Sequence, residues 1–280
     1  EQQWENVLRG VDGVEYVEVD AFGRKKVTND RSGAGMVYEI PPKPAEPGKN
    51  IVLTIDQDLQ HAAAEQFIKD NKTGAVVAID PNNGEVLAML SWPSFDPAEF
   101  SVGIRPEYYK QLIQNEDKPL RDKTILDHYQ PGSTFKIVTA SAALEQSVVH
   151  PEDLIDVRGG TMRLGTRVIH DTADHGVLSF TDVIVLSSNV GAAKIALRLG
   201  AERFGLYARR FGFGRQTSPD FPGESPGILW DPSKQSDGAL ASMGMGYQVG
   251  VTPLQMAAAV SAIANGGNLY EPRVASAVIK

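Results

Sequence analysis

The sequence predicts an α+β fold, with strand-forming runs towards both ends of the chain and a mainly helical lobe inserted near residues 91–250. Three observations carry this expectation. Gly74 to Ile79 and Glu85 to Leu90 are apolar runs joined by Asp80-Pro81-Asn82-Asn83-Gly84, which is the turn chemistry of a β-hairpin. Apolar residues at Phe135, Ile137, Val138, Ala142, Ala143 and Leu144, and again from Val190 to Leu199, carry the spacing of buried helices. The last residues, Val274 to Lys280, read as a strand with nothing after it to pair with.

Taken in order, residues 1–38 hold short strand-like pieces. Tyr16-Val17-Glu18-Val19-Asp20 alternates and Gly23 follows as a turn signal, so a hairpin is expected there. Residues 39–50 concentrate Pro41, Pro42, Pro44 and Pro47-Gly48, a stiff linker that divides the chain into 1–50 and 51–280. Ile51 to Ile55 is a strand, and Asp56 can cap a helix running to about Lys69. Residues 92–124 form a long polar connection with one short helix from Pro106, and a connection of that length is often functional. A helix follows at 133–146; another begins near Phe180-Thr181-Asp182 and runs into Ser187-Ser188-Asn189; the one from Val190 stops at Gly200. Gly212 and Gly214 open a loop rich in Pro and Gly through Gly227, and Thr252-Pro253 starts a helix that Asn265-Gly266-Gly267 stops.

The 280 residues are 42% hydrophobic and 22% charged, which is ordinary for a globular chain. A net charge of −8 argues against a general nucleic-acid binder. The absence of cysteine excludes disulfides, thiolate metal sites and cysteine nucleophiles. No run of about 18 or more apolar residues is present, and the abrupt start at Glu1-Gln2-Gln3-Trp4 shows no charged-then-apolar leader pattern. Together with a final strand that has nothing after it to pair with, this reads as a piece of a longer protein.

The chemistry gathers on Pro131-Gly132-Ser133-Thr134-Phe135-Lys136 and, further on, Ser187-Ser188-Asn189. Ser133 and Lys136 stand three apart, on one helix face, so a hydroxyl can sit against an amine able to remove its proton. That is the Ser-Lys form of nucleophilic catalysis, with a desolvated lysine in place of the histidine of a triad. A bare Ser-x-x-Lys occurs by chance about once in a chain of this size. Its context is what gives weight: Pro131-Gly132 punctuates the chain directly before a serine that opens a buried helix. Free N–H groups and the helix dipole there favour developing negative charge. Ser187 and Asn189 could complete such a site.

Several further segments, in the same order, make the chain resemble the class B penicillin-binding proteins. They include Gly74-Ala75-Val76-Val77-Ala78-Ile79-Asp80-Pro81 with Gly84-Glu85-Val86-Leu87-Ala88-Met89, and Phe95-Asp96-Pro97. Tyr129-Gln130 before the serine motif, Val190-Gly191-Ala192-Ala193-Lys194 after Asn189, Phe211-Gly212-Phe213-Gly214, Phe221-Pro222-Gly223-Glu224 and Gly250-Val251-Thr252-Pro253-Leu254-Gln255-Met256 extend the likeness over nearly the whole chain. The resemblance implies the β-lactamase and transpeptidase fold, an antiparallel sheet flanked by helices with a helical lobe, here truncated at the C-terminus. It implies a peptidoglycan D,D-transpeptidase without cofactor or metal. Ser133 would be the acylated nucleophile and Lys136 its general base. Ser187 would relay a proton to the leaving D-alanine, and Asn189 would bind the substrate backbone and the lysine. Residues 1–50 would be the remnant of an N-terminal pedestal domain with its linker, and 51–280 the transpeptidase domain lacking its C-terminal strands. Implied partners are peptidoglycan stem peptides, β-lactam antibiotics, and glycan-polymerising and division proteins. The place would be the extracytoplasmic face of a bacterial membrane, reached through an anchor that this chain lacks. Ser187 to Gly200 and Asp127-x-Tyr129 look more like the septal than the elongation branch.

One departure concerns the family's third motif, Lys-Thr-Gly on a later strand, which the chain ends before. Lys72-Thr73-Gly74 precedes the nucleophile and reads as a turn. Two rival functions stay open: a penicillin-binding scaffold or sensor without turnover, and a class D-like β-lactamase. His170-Asp171 with Asp174-His175 are metal ligands on paper, and the preferred reading is a polar loop. Trp92 and Tyr108-Tyr109 read as half-buried anchors rather than a groove. Arg24-Lys25-Lys26 and Arg209-Arg210 read as solvated charge.

Overall fold

The computed structural model describes residues 2–17, 19, 22–24, 41–101, 103–231 and 234–280. The hairpin expected around Tyr16 to Asp20 and the Arg24-Lys25-Lys26 stretch lie partly outside these residues. In chain order, a 3-10 turn at Gln2–Trp4 is followed by α1 (Glu5–Leu8), β1 (Asn50–Leu53), α2 (Gln57–Asp70), β2 (Gly74–Ile79), β3 (Val86–Trp92), α3 (Ala98–Ser101) and α4 (Pro106–Gln114). A 3-10 turn at Gly132–Phe135 enters α5 (Lys136–Glu145), then come β4 (Leu154–Asp156), β5 (Thr161–Leu164), β6 (Arg167–His170) and β7 (Val177–Ser179). The chain continues through α6 (Phe180–Val185), α7 (Asn189–Leu199), α8 (Ala201–Arg210), α9 (Asp237–Gly244), α10 (Pro253–Ala264) and β8 (Ala275–Ile279).

These elements sort into two units, Glu1–Leu53 with Ala275–Lys280, and Thr54–Val274. In the first, β1 and β8 form an antiparallel pair with Ile51 opposite Val278, so the final strand, which has nothing after it in the chain, pairs with a strand that precedes it by more than 200 residues. The proline-rich stretch is backbone-paired as well, Val11 with Glu46 and Val14 with Lys43.

In the second unit the expected hairpin forms, with Ala75 opposite Ser91 and Val77 opposite Met89. On β3 the residues Val86, Ala88 and Leu90 are buried and their neighbours less so, the period of a strand with one covered face. Helix α2 packs along β3, and α10 packs on β2. Gln60 of α2 fastens the first contact by donating to Met89 O at 2.8 Å and accepting from Met89 N at 2.7 Å. Asp56 caps α2 as its position predicts, its Oδ1 accepting from Leu59 N at 3.0 Å. Lys72 and Thr73 lie in the turn between α2 and β2.

Helix α10 starts where Thr252-Pro253 places it. Thr252 Oγ1 accepts from Gln255 N at 3.1 Å, and Gln255 Oε1 accepts from Thr252 N at 3.0 Å, a reciprocal capping box. Thr252 is fully buried, so Thr252→Ala strands an N–H that water does not reach. The expected loss is about 1–2 kcal/mol, read as a lower thermal midpoint.

The lobe between is mainly helical, with two short antiparallel ladders, β4 with β7 and β5 with β6. Neither ladder nor helices α8 and α9 is anticipated by the sequence reading. Strands of three and four residues are too short to show a period, and Gly238 and Gly244 inside α9 are poor helix formers. One boundary is corrected. The helix expected to run into Ser187-Ser188-Asn189 ends at Val185, and Asn189 instead opens α7. Serines satisfy helix ends better than helix interiors, and Ser188 takes the N-cap.

Phe135, Val138 and Ala142 of the α5 region pack with Phe204, Tyr207 and Met243 in one core cluster. Ala143 belongs to a second cluster with Ile155, Val183 and Ile195. Helix α5 is thus shared by both.

Candidate active site

Ser133 sits in the 3-10 turn that precedes α5, where residues i and i+3 eclipse, so Ser133 and Lys136 share a face. The turn is held from several sides. Phe135 is fully buried, with ring centroids 5.1 Å from Phe213 and 6.2 Å from Phe204. Thr134 Oγ1 donates to Pro131 O at 2.8 Å. Gly132, at φ 56, donates its N–H to Gly246 O at 3.0 Å. Gly246 itself has φ 83, and a Cβ there would lie 2.0 Å from Gly132 O. Just upstream, Tyr129 and Val251 exchange backbone hydrogen bonds of 2.9 Å. A recess of about 370 Å³, lined in part by Tyr129, Gln130, Trp230 and Gly250, borders this entering segment.

Lys136 is 2% exposed. Its ammonium donates to Ser187 O at 2.6 Å, Ser187 Oγ at 3.0 Å and Asn189 Oδ1 at 2.8 Å. These three acceptors match the three N–H donors of a charged lysine. Burial pushes the amine down to about 8, with the carboxylate of Asp171 acting in the opposite sense. At neutral pH about a tenth of the molecules therefore carry a neutral amine with a free lone pair.

The partner turn is built by two helix ends. Ser187 N donates to Ile184 O at 3.1 Å and Ser188 N to Val183 O at 2.9 Å, closing α6. Ser187 then adopts φ 56, the left-handed region that a side chain rarely occupies without support. Ser188 Oγ accepts from Gly191 N at 2.9 Å and starts α7, which puts Asn189 at its first position.

Of the four residues singled out in the sequence, the structure brings Lys136, Ser187 and Asn189 into direct contact. Ser133 lies on the same face, but its exposed hydroxyl has no hydrogen-bond partner among the described residues. The ammonium spends all three donors elsewhere, and such contacts commonly tighten only when substrate arrives.

The sequence reading missed the use made of His170 and Asp171. His170 O accepts from Asn189 Nδ2 at 3.0 Å, and Asp171 accepts from Asn189 N, from Val190 N at 3.0 Å and from Ser188 Oγ at 2.7 Å. Their separation from Asn189 by 18 or 19 positions leaves no local signal. Asp174, the other carboxylate of that loop, accepts from Gly176 N at 2.9 Å. Among the described residues no cluster of three or more His, Cys, Asp or Glu could hold a metal. Trp92 and Tyr108 are half-buried, Tyr109 is exposed, and Arg210 lies over the Tyr207 ring at 5.1 Å.

Comparison with known proteins bears on what this site belongs to. The chain is 33% identical to penicillin-binding protein PbpB of Mycolicibacterium smegmatis, over 100% of this chain and 41% of that protein. It is 32% identical to the peptidoglycan D,D-transpeptidase MrdA of Acinetobacter baumannii, over 98% of this chain and 41% of that protein. The chain thus spans about two fifths of the length of these relatives. An imipenem acyl-enzyme complex of penicillin-binding protein A from M. tuberculosis superimposes with TM-score 0.76 at 28% identity, covering 84% of this chain and 56% of that one. These relatives do not resolve the septal from the elongation branch. The model of the penicillin binding protein transpeptidase domain matches residues 74–280, more than two thirds of the chain, and the protein belongs to that family.

Proposed function

We propose that this chain is the catalytic domain of a class B penicillin-binding protein, a serine-type peptidoglycan D,D-transpeptidase. The observation that carries the reading is the buried Lys136 amine, lowered to about 8 and bonded to Ser187 and Asn189 on the face that Ser133 shares. A neutral Lys136 takes the proton of Ser133 Oγ as that oxygen attacks the penultimate D-alanine carbonyl. The Ser133 N–H, at the start of a helix, is one donor for the developing oxyanion. The C–N bond to the terminal D-alanine breaks, and the proton passes by way of Ser187 to the leaving amine. An amine of a neighbouring stem peptide then attacks the ester, gives its proton back through the same groups, and frees Ser133. A β-lactam presents the same carbonyl and keeps its leaving group tethered, so it acylates Ser133 without ready release.

The relative named as a D,D-transpeptidase and the solved acyl-enzyme of a penicillin-binding protein favour this reading over a β-lactamase or a silent scaffold. We further assign Ser133, Lys136, Ser187 and Asn189 as the catalytic set, residues 1–50 as pedestal remnant and 51–280 as transpeptidase domain. We place the whole protein at the extracytoplasmic face of the membrane, in septal wall synthesis beside a glycan polymerase. The septal assignment rests on Ser187 to Gly200 and Asp127-x-Tyr129. No described helix is long and apolar enough to cross a membrane.

The test is intact-mass spectrometry after incubation with a penicillin, with the adduct mapped by digestion. One penicilloyl group on Ser133 that persists for hours is expected. Rapid release would instead indicate a β-lactamase, and an adduct elsewhere would overturn the assignment.

A further inference from the structure

Asp171 takes no part in the acyl transfer just described, yet it is tied to the segment that performs it. It follows β6, whose last residue His170 pairs with Thr161 of β5, so the carboxylate stands on a hydrogen-bonded ladder rather than a free loop. One carboxylate oxygen accepts from the N–H groups of both Asn189 and Val190, and the other accepts from Ser188 Oγ at 2.7 Å. All three donors belong to the first turn of α7 or its cap, where a negative charge suits the helix dipole. Asn189 is gripped at both ends of its side chain: Nδ2 by His170 O at 3.0 Å, Oδ1 by Lys136 Nζ at 2.8 Å. With its N–H also held by Asp171, Asn189 has one amide orientation open to it.

The arrangement has a second consequence. Among the described residues, the charge acting on Lys136 is that of Asp171, and it favours the protonated amine against the burial that opposes it. The carboxylate therefore acts on the site by position and by charge. We propose that Asp171 is the positioning residue of this active site, fixing the Ser187–Asn189 turn against Lys136 and presenting to that amine the negative charge that balances its burial. This rests on the reading of Ser133 as the acylated residue.

The experiment measures the rate of Ser133 acylation by a fluorescent penicillin across pH in the full-length protein, wild type against Asp171→Asn. The rate at the alkaline plateau is expected to fall by about ten- to a hundredfold, because the turn loses its anchor. The acid limb of the profile is expected to move to lower pH, since removing the carboxylate lowers the pKa of Lys136 further. Asp171→Glu keeps the charge with a displaced carboxylate, so its plateau falls while its limb stays in place. Should Asp171→Asn fail to fold by thermal melt, Asp171→Ser gives the same two readouts with a smaller side chain. A plateau equal to wild type, or a lower plateau with an unmoved limb in the asparagine or serine variant, overturns the proposal. Absence of any adduct on wild-type Ser133 is a different result, which overturns the proposed function and this inference with it.

Discussion

Ser133→Ala is expected to reduce penicillin acylation by at least about 10³-fold while leaving the fold intact. The prediction has two independent halves. In the proposed mechanism the hydroxyl forms the ester, and no described side chain stands in for it on the same face of the 3-10 turn. The same hydroxyl is exposed and bonded to no described residue, so its removal strands nothing. The thermal midpoint should therefore shift by no more than about 0.5 kcal/mol would produce. Labelling with a fluorescent penicillin, followed by a melt of the same sample, reads both halves. Full labelling of the alanine variant would mean that another nucleophile carries the adduct.

Lys136→Met should be as damaging to acylation, by about 10³-fold or more, because in the proposed mechanism the proton of Ser133 loses its acceptor. Methionine keeps much of the length and apolar character of the lysine stem, so the pocket stays filled. The pH behaviour separates a base from a mere structural lysine. In the wild type the acylation rate should climb through an acid limb near the folded pKa of about 8, as the neutral amine becomes available. Stability should follow the same group with a defined sign. The unfolded lysine titrates at 10.5 and the folded one at about 8. Between those values the unfolded chain holds a proton that the folded chain has released, so stability rises with pH across that window. The methionine variant lacks this rise. Chemical denaturation of both proteins at pH values spanning the window checks it, and parallel curves would contradict the titration of Lys136.

What the residues disclosed, and what they hid, divides along the distance over which each signal acts. The hairpin of β2 and β3, the Asp56 cap, and the start and stop of α10 were readable because turn and capping chemistry acts over four or five residues. Ser133 and Lys136 stood out for the same reason, being three residues apart, although the ammonium donates to Ser187 and Asn189 rather than to Ser133. The contacts from Lys136 to Ser187 and Asn189 span 51 and 53 positions; local spacing does not foretell them, and of the two the likeness to a family implied only the one to Asn189. The loop of Asp171 was read as polar rather than as a metal site, but its contacts with Ser188, Asn189 and Val190 were not foreseen, because they span 17 to 19 positions. The end of α6 was misplaced because Ser187, Ser188 and Asn189 are each permissible in a helix. It is the left-handed φ of Ser187, stabilised by its contacts with Lys136, that turns the chain there.

Gly246 sets a limit of a different kind on this protein's freedom to vary. Because the main chain of Gly132 presses on the face where a side chain at 246 would stand, the spacing between the turn of Ser133 and that loop is fixed by two backbones in contact. No rotamer intervenes, so none can relax or swell to reposition Ser133. The flanking residues differ sharply in exposure, Met245 at 6% and Tyr247 at 47%. Substitutions at the exposed neighbour can accumulate and reshape the surface beside the site, while the reach of Ser133 stays calibrated by peptide units alone.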